Sequence, residues 1–181
     1  DWREQSYPSW GRGDVVHVGS SEALSTNAGH LALLDLLTDL SLDAGRADDA
    51  ARYGQWADDL RDRIDTVFWS GTGFSTMTTG PLDRAAVGRW DLLGTALTSA
   101  SAASDEHARA ALAAYPHSAY GPPVQWPQLP DVPVYHNRAI WPFVTAYGLR
   151  EARRHDLPAH VAHDVAGMVT TAALNVSNME N

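Results

Sequence analysis

The sequence has no cysteine and no lysine. Without cysteine there can be no disulfide and no thiolate metal site, and the compartment stays open. Positive charge is scarce: all 13 basic residues are arginine, and the formal net charge is -9. The arginine bias reads as codon usage and carries no mechanism. The negative balance argues against nucleic acid or an anionic membrane as a main partner. No apolar run approaches the roughly 18 residues that a membrane span requires. There is no Gly-x-Ser-x-Gly elbow and no phosphate-binding loop, so acyl and phosphoryl transfer have no support, and nothing calls for a cofactor. An initiator methionine and a signal peptide are also missing, while the richest motif starts at residue 1. The chain therefore reads as a piece of a longer polypeptide, whose location, cytoplasmic or secreted, is left undetermined.

What is present is enough for one domain with a sizeable core: 181 residues, 44% of them hydrophobic. Residues 22–44 read as a helix. Leu31, Leu33, Leu34, Leu36, Leu37, Leu40 and Leu42 cover most of its circumference, which predicts burial between other elements. Gly45 is a natural stop. Residues 47–68 follow as an amphipathic helix, with Tyr53, Trp56, Leu60, Ile64, Val67 and Phe68 in one stripe and Asp and Arg residues filling the other face. The two make an αα-hairpin. A loop-like stretch at 74–88 leads to a second pair at 89–103 and 105–114. A long irregular stretch at 115–135 with six prolines leads to a third pair at 136–154 and 157–175. Strand-like alternation is confined to short pieces such as Val15 to Val18. The expected fold is all-α: three hairpins in a partial helical toroid or solenoid, with the long loops gathered on one face, where a site would be built.

Two stretches carry the chemistry. The first is Asp1-Trp2-Arg3-Glu4-Gln5-Ser6-Tyr7-Pro8-Ser9-Trp10, in which acid, base and aromatic residues alternate. Such a mixture suits a polyhydroxylated ring: aromatics stack on its apolar face while charged and amide groups bind hydroxyls. A carboxyl group held among aromatics is also a candidate proton donor, since desolvation raises its pKa. The second runs from Tyr120 through Gln125-Trp126-Pro127-Gln128 to Tyr135-His136-Asn137-Arg138-Ala139-Ile140-Trp141-Pro142-Phe143. Its prolines leave little entropy to lose on binding. Trp126 and Tyr135 can stack on a sugar, and Gln125, Gln128, His136, Asn137 and Arg138 supply hydrogen bonds. The plainer alternatives are a surface loop pinned by tryptophans and a proline-stiffened connector.

These stretches, with Ser25-Thr26-Asn27-Ala28 and Leu93-Gly94-Thr95-Ala96-Leu97 between them, resemble the six-hairpin (α/α)6-barrel glycosidases, in the flavour of bacterial members akin to the trehalase and processing α-glucosidase clan. The resemblance implies that residues 1–181 are the C-terminal part of such a catalytic domain, about three hairpins of six. It also implies a glycoside hydrolase acting on α-linked oligosaccharides with inversion. In that chemistry one carboxylic acid protonates the leaving oxygen and a carboxylate roughly 6.5–9.5 Å away activates water. By position the acid is Asp1 or, close behind, Glu4. The base is Glu180 or lies past the end of this chain. Trp2, Arg3, Gln125, Trp126, His136, Asn137 and Trp141 are the substrate-binding candidates. Two other readings stay open. One is a sugar epimerase or polysaccharide lyase on a similar toroid, using His136 and Tyr135 for proton abstraction. The other is a non-catalytic carbohydrate-binding module.

The remaining signals are weaker. His160 and His163 have a spacing that can share a metal, but a solvated outer-helix face is the better reading, and no metal is expected. Asp91 faces a cavity or caps a helix.

Overall fold

The computed structural model describes residues 15–78, 87–130 and 132–175. Their elements, in chain order, are α1 (Val15–Ser20), α2 (Leu24–Asp43), α3 (Ala47–Val67), β1 (Trp90–Asp91), α4 (Leu92–Ser101), α5 (Asp105–Ala114), β2 (Gln125–Trp126), α6 (Val134–Arg138), α7 (Pro142–Arg154) and α8 (Pro158–Asn175). The fold is all-α, and among the described residues its one sheet is the antiparallel two-residue pair β1–β2, with Trp90 opposite Trp126 and Asp91 opposite Gln125. The segment 15–18, strand-like by alternation, is helical. No strand pairs with it among the described residues, and a helix satisfies its backbone groups locally.

The first hairpin turns where the sequence places it. Gly45 takes φ 71°, and the N–H groups of Ala44, Gly45 and Arg46 close back on the carbonyls of Leu40, Leu42 and Ser41. Asp48 and Asp49 then sit in the first turn of α3, where acidic groups favour the helix dipole. Leu31 and Leu34 of α2 meet Ala57, Ile64 and Phe68 of the α3 segment in a core that Phe74 and Ala111 complete.

Helices α2, α4 and α7 pack in a row, with α3 against α2, α5 against α4 and α7, and α8 against α7. Three hairpins, α2–α3, α4–α5 and α7–α8, thus stand side by side. The middle helix of the row is built from small residues. Gly94, Thr95, Ala96, Thr98 and Ser99 are all buried, which lets α4 sit between two neighbours. Leu92 in turn needs Gly148 of α7, where a Cβ would stand 3.0 Å from its Cδ1. Leu92, Tyr115, Val124, Ala139, Trp141 and Val144 form a second core, and Leu112, Ala152 and Leu157 a third.

Two expectations need correction. The helix expected over 136–154 is two helices, α6 and α7, separated by Ala139 to Trp141. Trp141 is extended (φ -108°, ψ 121°) because the ring of Pro142 disfavours the helical region for the residue before it. Nor is α2 buried on all sides. Leu24, Leu31 and Leu34 are covered, whereas Leu33, Leu36, Leu40 and Leu42 are exposed. Along this open flank a groove of about 590 Å³ runs between α2 and α3, lined by Leu33, Leu37, Tyr53, Trp56, Leu60 and Val67 among others.

Candidate functional site

The starts of α2, α4 and α7 are tied together by one relay of backbone bonds. Leu24 N–H donates to the Thr76 carbonyl (3.0 Å), and Thr76 N–H to Arg89 (2.7 Å). Leu92 N–H donates to Val124 (3.2 Å), and Val124 N–H to Ala139 (3.0 Å). The described residues of these loops, 68–78 with 87–91 and 115–130 with 132–141, therefore meet on one face of the row, at the N-terminal ends of its helices. Val124 is the hub, since it serves the start of α4 and the approach to α7 at once.

Asp91 is the N-cap of α4. Its carboxylate accepts the Gly94 N–H (2.5 Å) and the Thr76 hydroxyl (3.0 Å), and the side chain is fully buried. Of the two readings the sequence left open, capping is the one the geometry realises. The close approach depends on Gly94, where a Cβ would lie 2.6 Å from a carboxylate oxygen.

Around this frame stands an aromatic cluster. The rings of Tyr135 and His136 are 4.4 Å apart, Tyr135 and Trp141 4.9 Å, His136 and Trp141 5.0 Å, and Trp141 and Phe143 5.7 Å. His136 and Trp141 are buried and fix the cluster. Within it Tyr135 (46%) and Phe143 (46%) remain open to solvent, and Trp126 (41%) is exposed outside the cluster, in β2. The cluster thus sets two exposed rings on a buried, closely packed base.

The sequence candidates fall as follows. Asp1, Trp2, Arg3, Glu4 and Glu180 lie outside the described residues. Gln125, Trp126, His136, Asn137 and Trp141 are all on this face. Only Trp126 among these five is exposed. Gln125 is fully buried beside Trp126 in β2. Asn137 is occupied by its own loop: its Oδ1 accepts the Leu129 N–H (2.7 Å), and its Nδ2 donates to the Leu129 (2.7 Å) and Val132 (3.2 Å) carbonyls. It staples the proline loop that carries Trp126. Arg138 adds bonds to the carbonyls of Leu129 and Pro130. Phe143 was not singled out from the sequence as a ring of the face. Its signal was the Trp-Pro-Phe spacing, in which Pro142 starts the helix and leaves both neighbours at its mouth. Among the described residues no three histidine, aspartate or glutamate side chains are grouped to hold a metal ion.

No protein-family model matches the chain, and no curated protein matches it.

Proposed function

We propose that this chain is the sugar-holding part of an inverting (α/α)6 glycoside hydrolase that acts on α-linked oligosaccharides. The observation that carries the reading is the exposed pair of rings Tyr135 and Phe143 backed by buried Trp141, with exposed Trp126 on the strand that packs against α6. Sugar rings present apolar faces to aromatics of this kind, and the proline-stiffened loop around Trp126 lowers the entropic cost of binding. In this reading Asn137 and Gln125 are positioning residues: the first braces the loop and the second belongs to the β1–β2 frame. The acid is Asp1 or Glu4 and the base is Glu180 or a carboxylate past it in a longer chain. The exposed leucines of α2 support membership of a larger ring, because apolar flanks of this extent call for a covering element.

A second reading, a carbohydrate-binding module that turns nothing over, draws on Asp91. That carboxylate of the aromatic face is buried and engaged as a cap, so it is not a free acid.

Hydrolysis of a panel of α- and β-linked disaccharides and aryl glycosides, with the product anomer followed by NMR, separates the two. Release of the inverted anomer, abolished by Asp1→Asn or Glu4→Gln, is the expected result. Sugar binding without turnover selects the binding module. Trp126→Ala should weaken sugar binding about 3- to 10-fold, the worth of one stacked ring. Unchanged affinity in that variant removes Trp126 from the site.

A further inference from the structure

Among the described residues α7 ends the row of inner helices. It carries three arginines and a single carboxylate, Glu151, in a chain whose net charge is -9. Arginine near a helix C-terminus suits the dipole, but that effect asks only for charge and not for an arrangement. Here there is an arrangement. Glu151 is fully buried, and each of its oxygens takes one guanidinium. Arg150 Nε donates to Oε1 (2.7 Å) and Arg154 Nη1 donates to Oε2 (3.2 Å). The Arg150 guanidinium also lies 5.0 Å from the centre of the Tyr147 ring.

These bonds use little of what the arginines offer. A guanidinium carries several N–H donors, and the buried carboxylate engages one of each. Both side chains stay more than half exposed, at 54% and 58%. One buried negative charge thus fixes two positive ones, and the sum is positive. Arg153, exposed and without an ionic partner among the described residues, adds to it. Asp105, at the start of α5, points at His155 (3.9 Å) rather than at these arginines.

Phe143, Tyr147, Arg150 and Arg154 follow at spacings of four, three and four, so they share one face of α7, and all four are exposed. Helix α4 meets α7 elsewhere, through Leu92 at Gly148. At ~100° per residue the exposed face lies about 100–160° round the helix from Gly148, and at ~1.5 Å per residue it is roughly 16 Å long.

We propose that this face is the seat of a further helix of the same polypeptide. That helix sets apolar side chains on Phe143 and Tyr147, and a pair of carboxylates one turn apart on Arg150 and Arg154. The inference rests on the half-ring reading and adds the chemistry of the covering helix. Charge decides for carboxylates. Glu151 already holds the arginines in place, so an incoming carboxylate meets them with little further ordering and bonds the edges that Glu151 leaves open. A purely apolar helix would strip water from two guanidinia and return no bond.

Two designed helical peptides, offered to the dilute 181-residue chain, test this. Both have the same leucine face. One sets two glutamates a turn apart beside it, and the other sets glutamines there. By fluorescence anisotropy the glutamate peptide should bind about tenfold tighter at low salt, and the gap should close at about 0.5 M NaCl. The gap should also close in Arg150→Gln with Arg154→Gln. That variant leaves Glu151 buried and unpaired, so if it fails to fold, Glu151→Gln is added to remove all three charges together. Equal affinity of the two peptides, or no binding by either, overturns the acidic helix. A preference for glutamate that survives the loss of both arginines places the attraction elsewhere and overturns it too. None of these outcomes touches the half-ring reading, whose own test is association of the chain through its apolar flanks.

Discussion

Asp91 joins two segments to the start of α4 through a single carboxylate, and the cost of losing it follows from what each oxygen does. Asp91→Ala removes the cap on Gly94, about 1–2 kcal/mol, and leaves the buried Thr76 hydroxyl without that acceptor, about 1–3 kcal/mol more. We expect a loss of about 2–5 kcal/mol in urea unfolding, with the aromatic face disturbed because β1 and β2 lose their anchor. Glycines test the same geometry with opposite signs. Gly94→Ala should destabilise although alanine is the better helix former, because its Cβ would meet the Asp91 carboxylate. Gly29→Ala in α2, with nothing within 4 Å of the new methyl, should gain about 0.5–1 kcal/mol. Equal effects of the two substitutions would refute the cap. The sequence named Asp91 and Asn137 but could not assign their work. A polar side chain before a helix serves as a cap, a loop staple or a ligand contact with the same letter, and only the position of its partners, such as Thr76 fifteen residues away, decides.

At the scale of elements, the hairpins were legible and their joints were not. The stripe of Tyr53, Leu60, Ile64 and Val67 and the stop at Gly45 fix α2–α3, because helical periodicity and a left-handed residue are local signals. The β1–β2 pair is two residues on each side, too short for any period to show, and it brings Trp90 and Trp126 together across 36 positions of chain. The docking of α8 was equally hidden. His117, Asp164 and Gly167 are each unremarkable in sequence, and only the tertiary contact turns them into one surface. Gly167→Ala therefore tests an element rather than a residue. Its methyl would press on the backbone of Tyr120 and Gly121, which cannot swing aside as a side chain does. A loss of about 1–3 kcal/mol is expected, concentrated in the exchange rates of α8 and 115–121. A stabilising or neutral outcome would mean that α8 does not rest on that loop.

At the scale of the whole molecule, the contrast between α4 and α2 decides what the fold lacks. Helix α4, made of small residues, is covered by α2, α5 and α7, whereas α2, far richer in leucine, meets α3 and α4 and still leaves Leu33, Leu36, Leu40 and Leu42 exposed. Leu33, Leu36 and Leu40 form an exposed stripe at helical spacing, and at the other end of the row Val165, Val169 and Leu174 of α8 are exposed too. The sequence pattern of α2, apolar around its circumference, is that of a helix with neighbours on every side, and the three described hairpins supply some of them. The half-ring proposal accounts for this by assigning both flanks to further hairpins. It predicts that these 181 residues alone associate or bind hydrophobic dyes, with a sedimentation profile that depends on concentration. Leu36→Glu with Leu40→Glu should suppress that association while costing no more than about 1 kcal/mol of unfolding free energy per site, since each side chain is about half exposed among the described residues. A monomer at high concentration that binds no dye and unfolds cooperatively would show that the flanks need no cover, and the half-ring reading would fall with it.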